Sequence, residues 1–142
     1  METKDKTTIT VETTVQQPVE KVWKFFTTPK HITQWNFAHE SWQCPSAAND
    51  VQPGGRLNWR MEAKDGSMGF DYTGTYEQVV PHKSLVYKID DGRQVAVTFD
   101  SEGDKTKVTE VFEVEDTNTI ELQRNGWQAI LDNFKKYAES QK

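Results

Sequence analysis

The longest stretch of helical periodicity in the chain is Asn118–Ser140. At 100° per residue, Ile120, Leu122, Gly126, Trp127, Ile130, Leu131, Phe134, Tyr137 and Ala138 share one arc of about half the circumference. Glu121, Arg124, Asn125, Gln128, Asp132, Lys135, Lys136 and Glu139 occupy the other. Asn118 and Glu121 stand at capping-box spacing and mark the start. Such a helix is about 30 Å long at 1.5 Å per residue. It carries too few apolar residues to stand alone, so the rest of the chain must supply a surface for it. Two residues interrupt the stripe. Gly126 costs about 1 kcal/mol against Ala in a helix interior, which predicts a close approach to its backbone. Gln123 lies in the first turn, near the middle of the arc. Either a strand packs at Gly126 and Gln123 is a satisfied or rim amide, or both border a cavity under the helix.

Before this helix the period changes. Thr7–Val15 alternates as a first strand, with Ile9, Val11 and Val15 inward. Gln17-Pro18 opens a helix with Pro18 at its first position, carrying Val19, Val22, Trp23 and Phe26 at helical spacing. Thr28-Pro29 opens a second short helix, Pro29–Thr33, leading to Trp35. Ser41–Cys44 is readable as a short strand, and Pro45–Pro53 as a loop that re-enters the sheet at Gly54-Gly55. From Arg56 onward the chain is a meander. Its inward sets are Leu57, Trp59 and Met61; Met68, Phe70, Tyr72 and Tyr76; Leu85, Tyr87 and Ile89; Val95, Val97 and Phe99; then Val108, Glu110, Phe112 and Val114. Turn signals at Asp65-Gly66, Pro81–Lys83, Asp91-Gly92 and Glu102–Asp104 separate them. The fold class is therefore α+β: a curved antiparallel sheet of six to seven strands wrapped around a long C-terminal helix, with two short helices after the first strand.

A length of 142 residues fits one domain, 1–142, with the charged Met1–Lys6 expected to be disordered. The net charge of −5, with both signs interspersed and no basic stripe, argues against a nucleic-acid partner. No apolar run is long enough to span a membrane, and no leader pattern is present. The single Cys44 excludes an internal disulfide and points to the cytoplasm. Five Trp, four Tyr and seven Phe mean that the core is built largely from rings.

Several short motifs recur here in a particular order. Trp23 follows Pro18 by five residues; Thr28-Pro29 precedes Trp35; Pro53-Gly54-Gly55-Arg56 opens the meander; and Gly74 and Tyr76 precede Val80-Pro81 and Leu85. Thr106, Val108 and Thr109 lie in the last strand, and Gly126-Trp127, Ile130-Leu131 and Asn133-Phe134 in the helix. With these motifs, from Thr7 to about Ala138, the chain resembles the family of activators of heat-shock protein 90 ATPase homologues. That family belongs to the START-like superfamily of birch-pollen-allergen-type helix-grip folds. The resemblance implies a soluble domain with a hydrophobic cavity between sheet and long helix. Relatives bind lipids, hydrophobic metabolites or other proteins, and a few superfamily members are enzymes. Eukaryotic co-chaperone activators add a separate N-terminal domain that docks on the chaperone; a single 142-residue domain leaves no room for it, which counts against ATPase activation.

No catalytic constellation stands out, and no metal or cofactor is implied. His31 and His82 are expected in solvent, and His39, Glu40 and Cys44 match no zinc spacing. Glu110 is the one ionisable residue on an apolar strand face. If the register holds it points at the cavity, as acid, base or polar anchor; a bulge near the apolar Val111 would instead turn it to water. Arg60 and Asp71 read as surface partners across strands. Among the rings, most are plain core. The predicted ligand-binding set is Trp59, Phe70, Tyr72, Tyr87, Phe112, Gln123, Gly126, Trp127 and Ile130, all on the facing surfaces of sheet and helix.

Three functions are compatible with this reading. The first is a monomeric, non-enzymatic module that shelters a hydrophobic or amphipathic small molecule or lipid. The second is a protein-interaction module regulating a chaperone or stress-response partner through an exposed patch around Trp35, Phe37 and Trp42. The third is an enzyme using the cavity carboxylate Glu110 for proton transfer or hydrolysis.

Overall fold

Seven strands form one antiparallel sheet, most of them because they supply an alternating face. They are β1 (Thr8–Val15), β2 (Trp42–Asn49), β3 (Arg56–Ala63), β4 (Gly69–Val80), β5 (Ser84–Ile89), β6 (Gln94–Glu102) and β7 (Lys105–Glu113). The computed structural model describes residues 7–141, so the expectation for Met1–Lys6 lies outside the described residues. The spatial order is β1-β7-β6-β5-β4-β3-β2. Hairpins join neighbours from β2 to β7. Helices α1 (Val19–Thr27) and α2 (Pro29–Trp35) carry the chain from one edge of the sheet to the other. The sheet curls into a half-barrel under its own twist, and α3 (Ile120–Ser140) lies along its concave side.

Thr28 divides the two short helices. It caps both, held extended at φ −83° and ψ 126° by the Pro29 ring that follows. Pro18 is the cap of α1 rather than its first helical residue: at ψ 156° it is still extended, and its carbonyl accepts the first helical bonds from Lys21 and Val22. The expected loop from Pro45 is also corrected, because β2 runs through it to Asn49. This is an edge strand, and its register with β3 shifts between Gln43 and Ser46, where a residue without an N–H is tolerated.

The cap of α3 is Thr119, whose hydroxyl accepts from the Leu122 N–H at 3.1 Å, and not the Asn118/Glu121 box. Ile120 and Leu122 point to solvent at 45% and 58% exposure, whereas Gln123 is 7% exposed. The buried stripe thus starts at Gln123. Farther along, Leu131, Phe134 and Ala138 are fully buried. Phe134 packs edge-on to Phe26 and Trp35, with centroids at 5.3 and 5.0 Å. Polar side chains flank this seam: Lys135 Nζ donates to the Thr14 carbonyl at 2.8 Å, and Glu139 accepts from the Gln16 N–H at 2.8 Å. Asn133 Nδ2 donates to the carbonyls of Trp35 and Phe37, tying α3 to the end of α2.

Other expectations change with position. His31 is not simply solvated; its Nδ1 lies 2.6 Å from the Tyr137 hydroxyl, and burial followed by the charges of Lys30 and Lys24 lowers its pKa. Trp35 is 2% exposed and donates to the Phe25 carbonyl, so it cannot form part of a surface patch. Met68 precedes β4 and is 65% exposed. Arg60 and Asp71 pair across β3 and β4, with an N to O separation of 3.7 Å at the surface.

Candidate functional site

Between the first half of α3 and strands β3, β4, β5 and β7 the packing stops short, leaving a cavity of about 220 Å³. Strand alternation brings its residues together. Trp59 on β3 and Tyr72 on β4 are register partners, with ring centroids 5.6 Å apart. Tyr87 on β5 and Glu110 on β7 face the same space, and Phe26 and Trp35 close one side. Trp127 and Ile130 form the roof. Phe70, Met61, Arg93 and Glu115 complete the wall, with Phe70 at the mouth, 47% exposed.

Of the residues expected from the sequence, Trp59, Phe70, Tyr72, Tyr87, Gln123, Trp127 and Ile130 all lie in this wall. Phe112 and Gly126 do not. Phe112 sits behind the roof, stacked on Trp127 at 3.8 Å with the planes 11° apart, and it fixes the pitch of the indole. At Gly126 the close approach does not occur: a Cβ placed there meets no atom within 4 Å. The helix stands away from the sheet at this level, so its backbone has no neighbour to accommodate. Phe26, Trp35, Asn36, Met61, Arg93 and Glu115 are wall residues that sequence reasoning missed as site residues. The inward alternation of Leu57, Trp59 and Met61 was available as a signal for Met61. For Arg93, in the β5–β6 turn, no local pattern existed.

The polar groups of the wall divide sharply into satisfied and unsatisfied ones. Gln123 is the satisfied amide. Its Oε1 accepts from the Glu115 N–H at 3.0 Å, and its Nε2 donates to the carbonyls of Glu115 and Asn118 at 3.2 and 2.8 Å. Glu115 caps its own loop, accepting from Thr117 and Asn118, which holds its carboxyl below the usual range. Arg93 donates to Asp91 at 2.9 Å. Deeper in, the hydroxyls of Tyr72 and Tyr87 lie 2.9 Å apart and share one hydrogen bond. Burial raises the pKa of both.

Glu110 is the unsatisfied group. β7 runs without a bulge in register with both neighbours, placing Glu110 opposite Val11 of β1 and Val97 of β6. The register alternative therefore resolves inward, and the side chain is 7% exposed. Its carboxyl makes no hydrogen bond and no ion pair within the described residues. Burial among rings pushes its pKa up to about 8, because the charged form would lose its hydration with nothing in exchange. At neutral pH it is a carboxylic acid, able to donate and to accept one hydrogen bond. Trp59 Nε1 is buried without a partner among the described residues as well.

Among the described residues, no group of three or more His, Cys, Asp or Glu is placed to hold a metal ion. His39 turns to Ser41 instead, 2.9 Å away. No described helix is long and apolar enough to cross a membrane.

Comparison with known proteins places this arrangement. No curated protein matches the chain. The solution structure of an AHSA1-like protein from Aeromonas hydrophila is 42% identical over 94% of this chain and 93% of that one, with a TM-score of 0.89. A protein from Cytophaga hutchinsonii is 48% identical over 93% and 92% of the two chains, with a TM-score of 0.80. A protein from Chromobacterium violaceum, 21% identical over 93% and 96%, shares the fold at a TM-score of 0.82. The model of the family described as Activator of Hsp90 ATPase homolog 1-like protein matches residues 16–139, spanning both short helices, the meander and nearly all of α3, and the chain belongs to that family.

Proposed function

We propose that this domain binds a small hydrophobic or amphipathic molecule between the sheet and the first half of α3. One observation carries the reading: a carboxyl with no partner among the described residues faces a ring-lined hollow. An unpaired buried polar group costs about 1–3 kcal/mol, and a ligand that pairs with it removes that penalty on binding. The volume of about 220 Å³ exceeds the roughly 150 Å³ that admits benzene and lies below the roughly 300 Å³ of drug-sized pockets. The ligand is thus of one- or two-ring size, or longer with a tail leaving past Phe70. Apolar burial at about 25 cal/mol per Å² supplies most of the affinity. The buried, single Cys44 suits a reducing cytoplasm. The test is to titrate the protein with ring hydrocarbons, alcohols and medium-chain fatty acids while following the indole N–H signals of Trp59 and Trp127. Saturable shifts at both are expected; signals that stay fixed throughout the panel defeat the reading.

A second reading, docking on a chaperone, is favoured by one feature. Met68 and Phe70 are exposed on the β3–β4 hairpin, with Trp42 lying 6.2 Å from the Phe70 ring. Replacing Met68 and Phe70 by Ser should abolish co-purification of a chaperone if this surface docks.

A further inference from the structure

The polar inventory of the cavity specifies more than its size, provided that the cavity is the binding site. Tyr72 and Tyr87 together carry two hydroxyl hydrogens and spend one on each other, so one remains unassigned. The acid of Glu110 carries another. Both hydrogens belong to groups that feel each other, since the charge of Glu110 bears on both phenols. No acceptor from the described chain reaches either. Free donors lining one cavity, with the Trp59 Nε1–H a third beside these two, call for an acceptor atom.

Charge narrows the class. From β4 and β5 the titratable neighbours of Glu110 are Tyr72 and Tyr87; from the β5–β6 turn, Arg93; and after β7, Glu115, already held by its own loop. The register partners on β1 and β6 are Val11 and Val97, and α3 contributes only Trp127, Ile130 and the uncharged Gln123. Arg93 is the sole cation in the wall among the described residues, and its charge bears on Tyr72. A cationic ligand would meet that guanidinium in a space of low dielectric. An anionic ligand would lose its hydration beside a carboxyl that itself avoids ionising, while the Arg93 guanidinium already donates to Asp91. Neither charge is welcome.

We infer that the site selects an uncharged ring compound bearing a carbonyl oxygen, which takes hydrogen bonds from the Glu110 carboxylic acid and from the spare hydroxyl of the Tyr72–Tyr87 pair. Trp59 and Trp127 would flank the ring, and the carbonyl would point toward β7 and β5.

Four probes of one shape test this: naphthalene, acetylnaphthalene, naphthoate and naphthylmethylammonium, each titrated into the intact chain by tryptophan fluorescence and by indole N–H shifts. At neutral pH, acetylnaphthalene should bind about tenfold or more tighter than naphthalene, from its added hydrogen bonds. It should exceed both charged analogues as well. Its affinity should fall about tenfold between about pH 7 and pH 9 as Glu110 ionises. Glu110→Gln keeps a donor at the same place, so it should keep the ketone preference and lose the pH dependence. Equal affinity for naphthalene and acetylnaphthalene overturns the inference and leaves the cavity reading standing. Tighter binding of either charged analogue overturns it too. If none of the four binds, the cavity reading fails, and the inference with it. The wild-type pH series needs no variant and decides the matter even if Glu110→Gln does not fold.

Discussion

The two halves of α3 rest on the same concave sheet and do opposite things. From Leu131 to Ala138 the helix presents Leu131, Phe134 and Ala138 to Phe26, Trp35 and the β1 face, and the space is filled. Lysine, glutamate and asparagine side chains clamp its flanks to β1 and α2. From Gln123 to Ile130 it presents a tilted indole over two phenols and a carboxyl, and the space stays open. Filling requires that opposing groups be apolar and complementary in shape. Where a carboxyl and two hydroxyls face the helix, an apolar side chain pressed on them would bury polar groups without partners. The hollow is what remains when neither water-free packing nor internal pairing is available.

The contrast can be broken first by truncation. Phe134→Ala should cost about 3–5 kcal/mol, as expected for a fully buried ring whose site cannot collapse. Trp127→Ala, above a void, should cost less than half as much. Urea denaturation of both variants measures this, and equal losses would mean that the two halves are packed alike.

A second test uses the proton on Glu110. The folded chain holds it to about pH 8, whereas an unfolded carboxyl releases it near 4.5. Between those limits the folded state binds the extra proton, so stability should fall as pH rises and level off above about pH 8. Glu110→Gln removes this dependence. It should match the parent near pH 4 and exceed it by an amount on the order of a few kcal/mol at pH 8, read from melting curves across the range. A parallel pair of curves would show that the carboxyl is solvated. This downward slope also separates Glu110 from Glu115, whose lowered pKa acts with the opposite sign.

The smallest effect is at Gly126. Because a methyl group there meets nothing, Gly126→Ala should stabilise the chain by about 1 kcal/mol through helix propensity alone. A destabilised variant would restore the close approach that helical economy predicts from sequence.

Much of the fold is legible in periodicity. The alternation in Leu57–Met61 or Val95–Phe99 is a local property of a pleated backbone, and so is the turn chemistry at Asp65-Gly66. β2 was hidden because edge position, not propensity, licenses Pro45 in a strand. The start of α3 misled because Ile120 and Leu122 fit the stripe by angle. Their exposure depends on where the sheet ends beneath them.

By itself the sequence determined the element order, the face of most strand rings and the identity of about half of the wall residues, since those follow from periods of 2 and 3.6 residues along the chain. Only the tertiary structure decided that β7 keeps its register, that Tyr72 and Tyr87 pair with each other, that Arg93 joins the wall, and that a volume is left over. A cavity is a small difference between the space that a curved sheet encloses and the volume of side chains sent into it. Curvature and helix stand-off arise from many distant contacts at once, and no local pattern encodes their difference.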